Sequence, residues 1–354
     1  MDGSYMTTPQ GSVFVTETIY PIGEPCGRGR LQPPENADPL FAYARIPAAN
    51  QFQAEDWLFI DTETTGLAGG TGTIAFLVGV GRFIAERFRL RQYIISDPGQ
   101  EPALIAALNA EFSGVKGVVT FNGKSFDMPL LDTRAIMNGN APHSPGLAHL
   151  DLLPIARRLW KHAVENCTLG CLEYRILDVL RSGEDIAGHL IPMMFFEFLR
   201  TGDGSFFADV AYHNRIDILS MTALLTTAAE ALQSESHDPG VRGTFLLRIG
   251  RVEEAIPLLR QSPETRTVLA LLFKRLKRVD EAAPIWEELA RQGDFTACVE
   301  LAKYHEHHLR DPQSALRWTE RAVTGSMTAK QSAEIERRLR RLIGKVERSL
   351  EKSE

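Results

Sequence analysis

Two carboxylates one residue apart, Asp61 and Glu63, end the apolar run Trp57-Leu-Phe-Ile60 and lead straight into Thr64-Thr65-Gly66. Along a strand, residues i and i+2 point to the same face, so this pair converges on one point. Neighbouring carboxylates raise each other's pKa, and a cation removes that conflict. Hard divalent ions such as Mg²⁺ and Mn²⁺ prefer oxygen ligands, so the pair reads as half of a metal site. Downstream, Asn122-Gly-Lys-Ser-Phe126-Asp127 follows the strand-like Gly117-Val-Val-Thr-Phe121. Asp127 thus falls at a strand-to-helix junction, where an acid also suits a helix's first turn for electrostatic reasons alone. Tyr212-His213-Asn-Arg-Ile-Asp217 lies on a long helix-like stretch running to Leu232, and the spacing of four puts His213 and Asp217 on one face. Phosphodiester hydrolysis is the chemistry such a set would serve. Two divalent ions about 3.5–4 Å apart stabilise both the attacking and the leaving oxygen.

In chain order, D-x-E-T-T-G, N-x-x-x-F-D and an aromatic or histidine ahead of a helical Asp resemble the DEDD exonuclease superfamily of the ribonuclease H-like fold. More narrowly, the sequence is similar to the YprB-like ribonuclease H-like domains. The matching marks are Gly69-Gly-Thr-Gly-Thr-Ile-Ala-Phe-Leu-Val-Gly79, His149-Leu-Asp-Leu-Leu153, Asp185-Ile-Ala-Gly-His-Leu-Ile-Pro192 and His213-Asn-Arg-Ile-Asp217. The likeness covers roughly residues 11–232. It implies a 3′-to-5′ exonuclease acting on single-stranded DNA or RNA with two divalent cations, Mg²⁺ or Mn²⁺. Asp61 would bridge both ions, and Glu63, Asp127 and Asp217 would complete their shells. Thr64, Thr65 and Gly66 would form the bend after the strand and contact the terminal nucleotide.

The last motif departs from the superfamily's two patterns, which carry His five residues or Tyr four residues before the final Asp. Here Tyr212 stands five before and His213 four before. An imidazole takes a proton near neutral pH more readily than a phenol, whose pKa is about 10. Tyr212 is also rotated by about 140° from Asp217 around a helix. His213 is therefore expected to orient water or act as general base, against the plainer reading that it caps or packs. Asn122 contacts substrate or closes its turn, and Lys124 contacts a phosphate or is an ordinary surface lysine. Asp151 reads as structural. Gly69–Gly72 lacks the Lys-Ser/Thr of a triphosphate loop and reads as a flexible turn into a strand at Ile74–Val80.

Positioning these residues takes an α/β domain. Patterning gives strands at about 72–83 and 86–95, a helix at about 100–112, a strand, a helix, a short strand near His149–Leu152, then helices. That order suits a mixed sheet flanked by helices, as the ribonuclease H-like resemblance implies. The expected domain is 55–233. Residues 1–54 precede it as an extension: a polar tail, a strand at Ser12–Tyr20, then irregular Pro- and Gly-rich sequence to Pro39. The loop Arg181–Gly188 is expected near the site. After a linker at 234–241, residues 242–354 read as a smaller all-α region of tetratricopeptide-like repeats. Its units begin Gly250-Arg-Val-Glu-Glu-Ala, Lys277-Arg-Val-Asp-Glu-Ala and Arg310-Asp-Pro-Gln-Ser-Ala, with Ala255, Ala282 and Ala315 at matching places. Arrays of this kind usually bind proteins.

Of the 354 residues 44% are hydrophobic and 24% charged, the balance of a soluble globular chain. No apolar run reaches membrane-spanning length and the N-terminus lacks a signal pattern, so cytoplasmic residence and no membrane partner are expected. Cys167 and Cys171 lack a second pair of soft ligands, which favours packing over zinc. The net charge of −6 conceals an asymmetry. Residues 1–240 carry 17 Lys and Arg against 28 Asp and Glu, a net of −11, whereas residues 241–354 carry 22 against 17, a net of +5. An acidic catalytic half repels nucleic acid unless cations neutralise the site. Arg337-Arg-Leu-Arg-Arg341 reads as a solvated helix face rather than an RNA contact. A different class stays open: a nucleic-acid-binding assembly protein whose helical repeats recruit partners. The intact set of four acids favours the enzyme.

Overall fold

The computed structural model describes residues 2–47, 53–66, 71–181, 186–323 and 328–350, in two compact units, Met1–His237 and Asp238–Glu354. Among the described residues nine strands belong to the first unit: β1 (Ser4–Thr8), β2 (Gly11–Pro21), β3 (Glu24–Cys26), β4 (Gly29–Leu31), β5 (Trp57–Thr64), β6 (Ala75–Ile84), β7 (Arg87–Ile94), β8 (Gly117–Thr120) and β9 (Ala148–Asp151). Seven form one sheet in the order β1-β2-β7-β6-β5-β8-β9, and β3 pairs with β4 in a separate ribbon. From β1 to β5 all neighbours are antiparallel; β8 runs parallel to β5, and β9 to β8. The mixture follows from the connections. β6 and β7 are joined by two residues, the first of which, Ala85, takes a φ of 50°. Parallel neighbours need a crossover, and helix α2 (Glu101–Phe112) precedes β8 while α3 (Asp127–Met137) precedes β9.

The run Trp57–Ile60 shows no polar alternation because both faces of β5 are covered, and its four side chains are buried. In chain order the remaining helices are α1 (Asp38–Ala44), α4 (Leu152–Trp160), α5 (Leu169–Leu172), α6 (Ile191–Thr201) and α7 (Phe207–Gln233). Helix α7 packs on β5 and β6. Two glycines of β6 let it approach. A Cβ on Gly79 would stand 2.2 Å from Asn214 Oδ1, and one on Gly81 would stand 2.7 Å from Ile218 Cγ2. Asn214 and Ile218 are one helical turn apart and meet two successive same-face positions of the strand.

Two expectations for the N-terminal residues are corrected. The supposed polar tail is β1, which pairs with β2 from Ser4↔Val15 to Thr8↔Gly11. Its polar, largely exposed side chains suit a sheet edge, which hides it from hydrophobic patterning. The stretch taken as irregular holds the β3–β4 ribbon and, at its end, the start of α1, whose first turn contains Pro39, a residue preset for that position. β2 pairs with β7 over eight residues, so the sheet itself begins before residue 55. Of the Gly69–Gly72 turn and the Arg181–Gly188 loop, residues 69–70 and 182–185 lie outside the described residues.

The second unit is helical throughout its described length: α8 (Pro239–Arg248), α9 (Val252–Gln261), α10 (Arg266–Arg275), α11 (Val279–Arg291), α12 (Phe295–Lys303), α13 (Pro312–Val323) and α14 (Ala329–Leu350). Neighbours pack as α8 with α9, α10 with α11 and α12 with α13. Ala255, Ala282 and Ala315 each sit on the second helix of a pair and are fully buried, where a small side chain permits close approach. Among the described residues no helix is long and apolar enough to cross a membrane.

Candidate active site

Asp61 and Glu63 lie on one face of β5, the face met by α7, which carries His213 and Asp217. The strand is irregular after them, with a register shift between Glu63 and Thr64. There Thr64 Oγ1 donates to the carbonyl of Gly66 at 2.8 Å, and Thr65 N donates to the carbonyl of Ile74 at 2.9 Å. Ile74 N returns a bond to Thr65 Oγ1 at 3.0 Å. Thr64, Thr65 and Gly66 therefore build the bend that turns the chain away just past the acids. Asp61 Oδ2 accepts from Asn214 Nδ2 at 2.8 Å.

Asp217 is met by a cation. Arg181 Nη2 donates to its Oδ1, and Arg181 Nη1 lies 2.9 Å from His213 Nδ1. The guanidinium is held in turn by Glu173, fully buried, through Nε to Oε2 at 2.6 Å and Nη2 to Oε1 at 2.8 Å. A guanidinium only donates, so Nδ1 of His213 must be the acceptor. A neutral ring then carries its proton on Nε2, 3.7 Å from Asp217 Oδ2. Sequence spacing points to His213 and Asp217 together and the loop beginning at Arg181 is expected near the site, but nothing in the sequence marks the roles of Arg181 and Glu173 there.

Asp127 begins α3, and its Oδ1 accepts from Thr62 Oγ1 at 2.5 Å. Thr62 points to the opposite face of β5 from Asp61 and Glu63, so this oxygen is committed to that side. Asn122 has a φ of 67°, and its backbone N–H donates to Asp151 Oδ1 at 2.8 Å. Its main chain thus makes a left-handed turn of the kind Asn tolerates. Asp151 also accepts from Leu153 N at 3.0 Å, capping α4. Lys124 is exposed and borders a cavity of about 520 Å³ with Met128, Asp132 and His149; none of the four acids lines it.

Electrostatics tie the acids together. Burial first, then the charges of Asp217 and Asp127, push the Asp61 carboxyl well above the usual range. Glu63 is raised by burial and then by Asp61, Asp217 and Asp127. Burial lifts Asp127 to about 6 against the pull of its Thr62 bond, and lifts Asp217 despite Arg181 and His213. Among the described residues no three acidic, imidazole or thiol groups are gathered closely enough to ligate one ion. Three of the acids meet other partners: Asp217 turns to Arg181, Asp61 to Asn214 and Asp127 to Thr62. The donor set is nevertheless that of a hard-cation site: four carboxylates, buried or half-buried, raised, and opposed among the described residues by the guanidinium of Arg181.

The profile of the ribonuclease H (RNase_H) superfamily matches residues 58–229. A Bacillus subtilis (strain 168) protein, the uncharacterized protein YprB, is 33% identical over 353 residues, covering 93% of this chain and 85% of its own length. The mixed sheet, the strand-borne acid pair and the two matches agree: residues 58–229 form a domain of the ribonuclease H superfamily, and the chain belongs to the family of YprB.

Proposed function

We propose that this protein is a metal-dependent nuclease, a DEDD-type 3′-to-5′ exonuclease that hydrolyses phosphodiester bonds of single-stranded DNA or RNA. One observation carries the reading: burial raises the carboxyls of Asp61, Glu63, Asp127 and Asp217 alike, and the charges of Asp127 and Asp217 raise Asp61 and Glu63 further. Burying mutually repelling carboxylates costs stability unless a cation answers them. In this reading Asp61, Glu63, Asp127 and Asp217 hold two divalent cations, Mg²⁺ or Mn²⁺. When bound, such ions stabilise charge at the attacking and leaving oxygens.

The chain's own residues do the rest. Asp217 and His213 share Arg181 as partner, so withdrawal of that one side chain exposes both an acid ligand and the Nδ1 lone pair. His213 then orients the attacking water or takes its proton. The bend at Thr64, Thr65 and Gly66 offers small side chains and backbone to the terminal nucleotide. Polarity and end preference rest on the family resemblance. The paired helices of the second unit, with their buried alanines, support a tetratricopeptide-like surface for a protein partner.

The test is cleavage of end-labelled single-stranded DNA and RNA with Mn²⁺, with Mg²⁺ and with chelator, comparing wild type and Asp61→Ala. The expected result is metal-dependent laddering from the 3′ end, absent in the variant. Retained binding without cleavage would replace the enzyme with a nucleic-acid-binding assembly protein.

A further inference from the structure

Four adjacent strands contribute to one straight polar row. Thr16 of β2 is registered with Gln92 of β7, Gln92 with Gly79 of β6, and Gly79 with Asp61 of β5. Gly79 has no side chain, and the amide of Asn214 from α7 fills its place. The Cβ that any other residue would carry falls 2.2 Å from Asn214 Oδ1. Hydrogen bonds run along this row in one direction. Thr16 Oγ1 donates to Gln92 Oε1 at 3.1 Å, Gln92 Nε2 donates to Asn214 Oδ1 at 2.9 Å, and Asn214 Nδ2 donates to Asp61 Oδ2 at 2.8 Å.

Every amide proton in the row is used. The second proton of Gln92 goes to the carbonyl of Ala211 at 2.7 Å, and that of Asn214 to the carbonyl of Asp61 at 3.2 Å. Thr16, Gln92 and Asn214 are all buried, so water does not compete for these groups. An ionised carboxylate only accepts, which fixes which way the Asn214 amide must face; Asn214 in turn fixes Gln92, and Gln92 fixes the hydroxyl of Thr16. Chains of this kind polarise each successive donor, so the bond to Asp61 is strengthened from its far end.

We propose that Thr16, Gln92 and Asn214 form a positioning relay that holds one oxygen of Asp61 and aims the other at the bound cation. This rests on the reading of Asp61 as a metal ligand. The relay begins about 14 Å from Asp61, three strand spacings away, and on a strand that lies before the part of the chain matching the superfamily. The N-terminal strands thereby belong to the catalytic apparatus. Partners that orient a metal ligand from behind commonly change affinity about 10- to 100-fold when removed.

The test is Mn²⁺ affinity of the full chain, read by electron paramagnetic resonance of the free ion, in wild type, Asp61→Ala, Asn214→Leu, Thr16→Val and Thr16→Ser. Binding should be lost in Asp61→Ala and weakened about 10-fold or more in Asn214→Leu. Thr16→Val keeps the volume but removes the hydroxyl that donates to Gln92 Oε1, so the row loses its first donor and the polarisation it passes to the Gln92 amide, and should weaken binding several-fold; Thr16→Ser should restore it. If Asn214→Leu does not fold, the Val and Ser pair decides alone. Binding that Asp61→Ala abolishes but Thr16→Val leaves at wild-type strength overturns the relay and spares the metal reading. A wild type that binds no Mn²⁺ overturns both.

Discussion

Arg181 bonds at once to Glu173, His213 and Asp217, so one guanidinium governs two of the residues expected to do chemistry. In the proposed reading a cation and Arg181 compete for Asp217. Arg181→Gln should therefore tighten Mn²⁺ binding by roughly tenfold, equivalent to about 1.4 kcal/mol, as seen by equilibrium dialysis. Weaker binding would mean that Arg181 supports the ion instead. His213→Ala should lower the hydrolysis rate by about 10²- to 10⁴-fold while leaving Mn²⁺ affinity near wild type; a wild-type rate would reduce His213 to a packing residue. Asp61, Glu63, His213 and Asp217 were readable in the sequence because alternation on a strand and the helical turn are local geometry. Arg181 falls in a loop expected near the site, but its role, like those of Glu173 and Gln92, was not legible, since nothing in their neighbours along the chain announces which side chain each will meet. Asn214 was inside a motif already in view, one turn from Ile218 and three residues before Asp217, and only its contact with Gly79 reveals what it does.

Secondary elements add constraints that no single side chain carries. Gly79 and Gly81 both admit α7 to the sheet, yet they face different atoms. Gly81→Ala would press on Ile218 and Phe88, an overpacking cost of about 1–3 kcal/mol, and should lower Tm with Mn²⁺ affinity intact. Gly79→Ala should lower both, because the displaced group is Asn214; equal effects of the two substitutions on Mn²⁺ binding would deny any special role to Gly79. In the second unit, Glu306 anchors α14. Its side chain is only 1% exposed and takes bonds from Arg338, Arg341 and Lys345. Burial alone would raise this carboxyl, but Arg341 and Lys345 outweigh it and hold it at about 2. A depressed carboxylate stabilises above its unfolded pKa of about 4.5 and loses that contribution as pH falls through about 2. Glu306→Gln should thus cost on the order of 1–3 kcal/mol at pH 7, with screening of the half-exposed Arg341 and Lys345 allowed for, and the gap to wild type should close by about pH 2 in urea titrations. The helices of this unit were legible from its three similar units and their matching alanines. The edge strand β1 and the β3–β4 ribbon were not, because short, exposed strands need no hydrophobic alternation.

At the scale of the molecule, charge works against the proposed substrate. The half that holds the acids carries a net of −11, and the remainder only +5. Phosphate contacts by Lys and Arg make nucleic-acid binding strong and salt-sensitive, and an acidic surface offers few of them. Attraction must then come from within the site, where divalent cations reverse the local sign. Binding of a labelled single-stranded oligonucleotide, followed by fluorescence anisotropy in Ca²⁺ to limit cleavage, should be weak in chelator and strengthen at least tenfold with the ion. Asp61→Ala should abolish that gain. Tight binding in chelator that falls steeply with NaCl and weakens in an Arg337→Glu, Arg340→Glu double variant would point the other way. Those two arginines lie exposed on α14, so such a result would assign nucleic-acid capture to the basic helical unit and leave the acids only the cut. The two outcomes differ in kind, since one depends on a divalent ion at fixed ionic strength and the other on ionic strength without one.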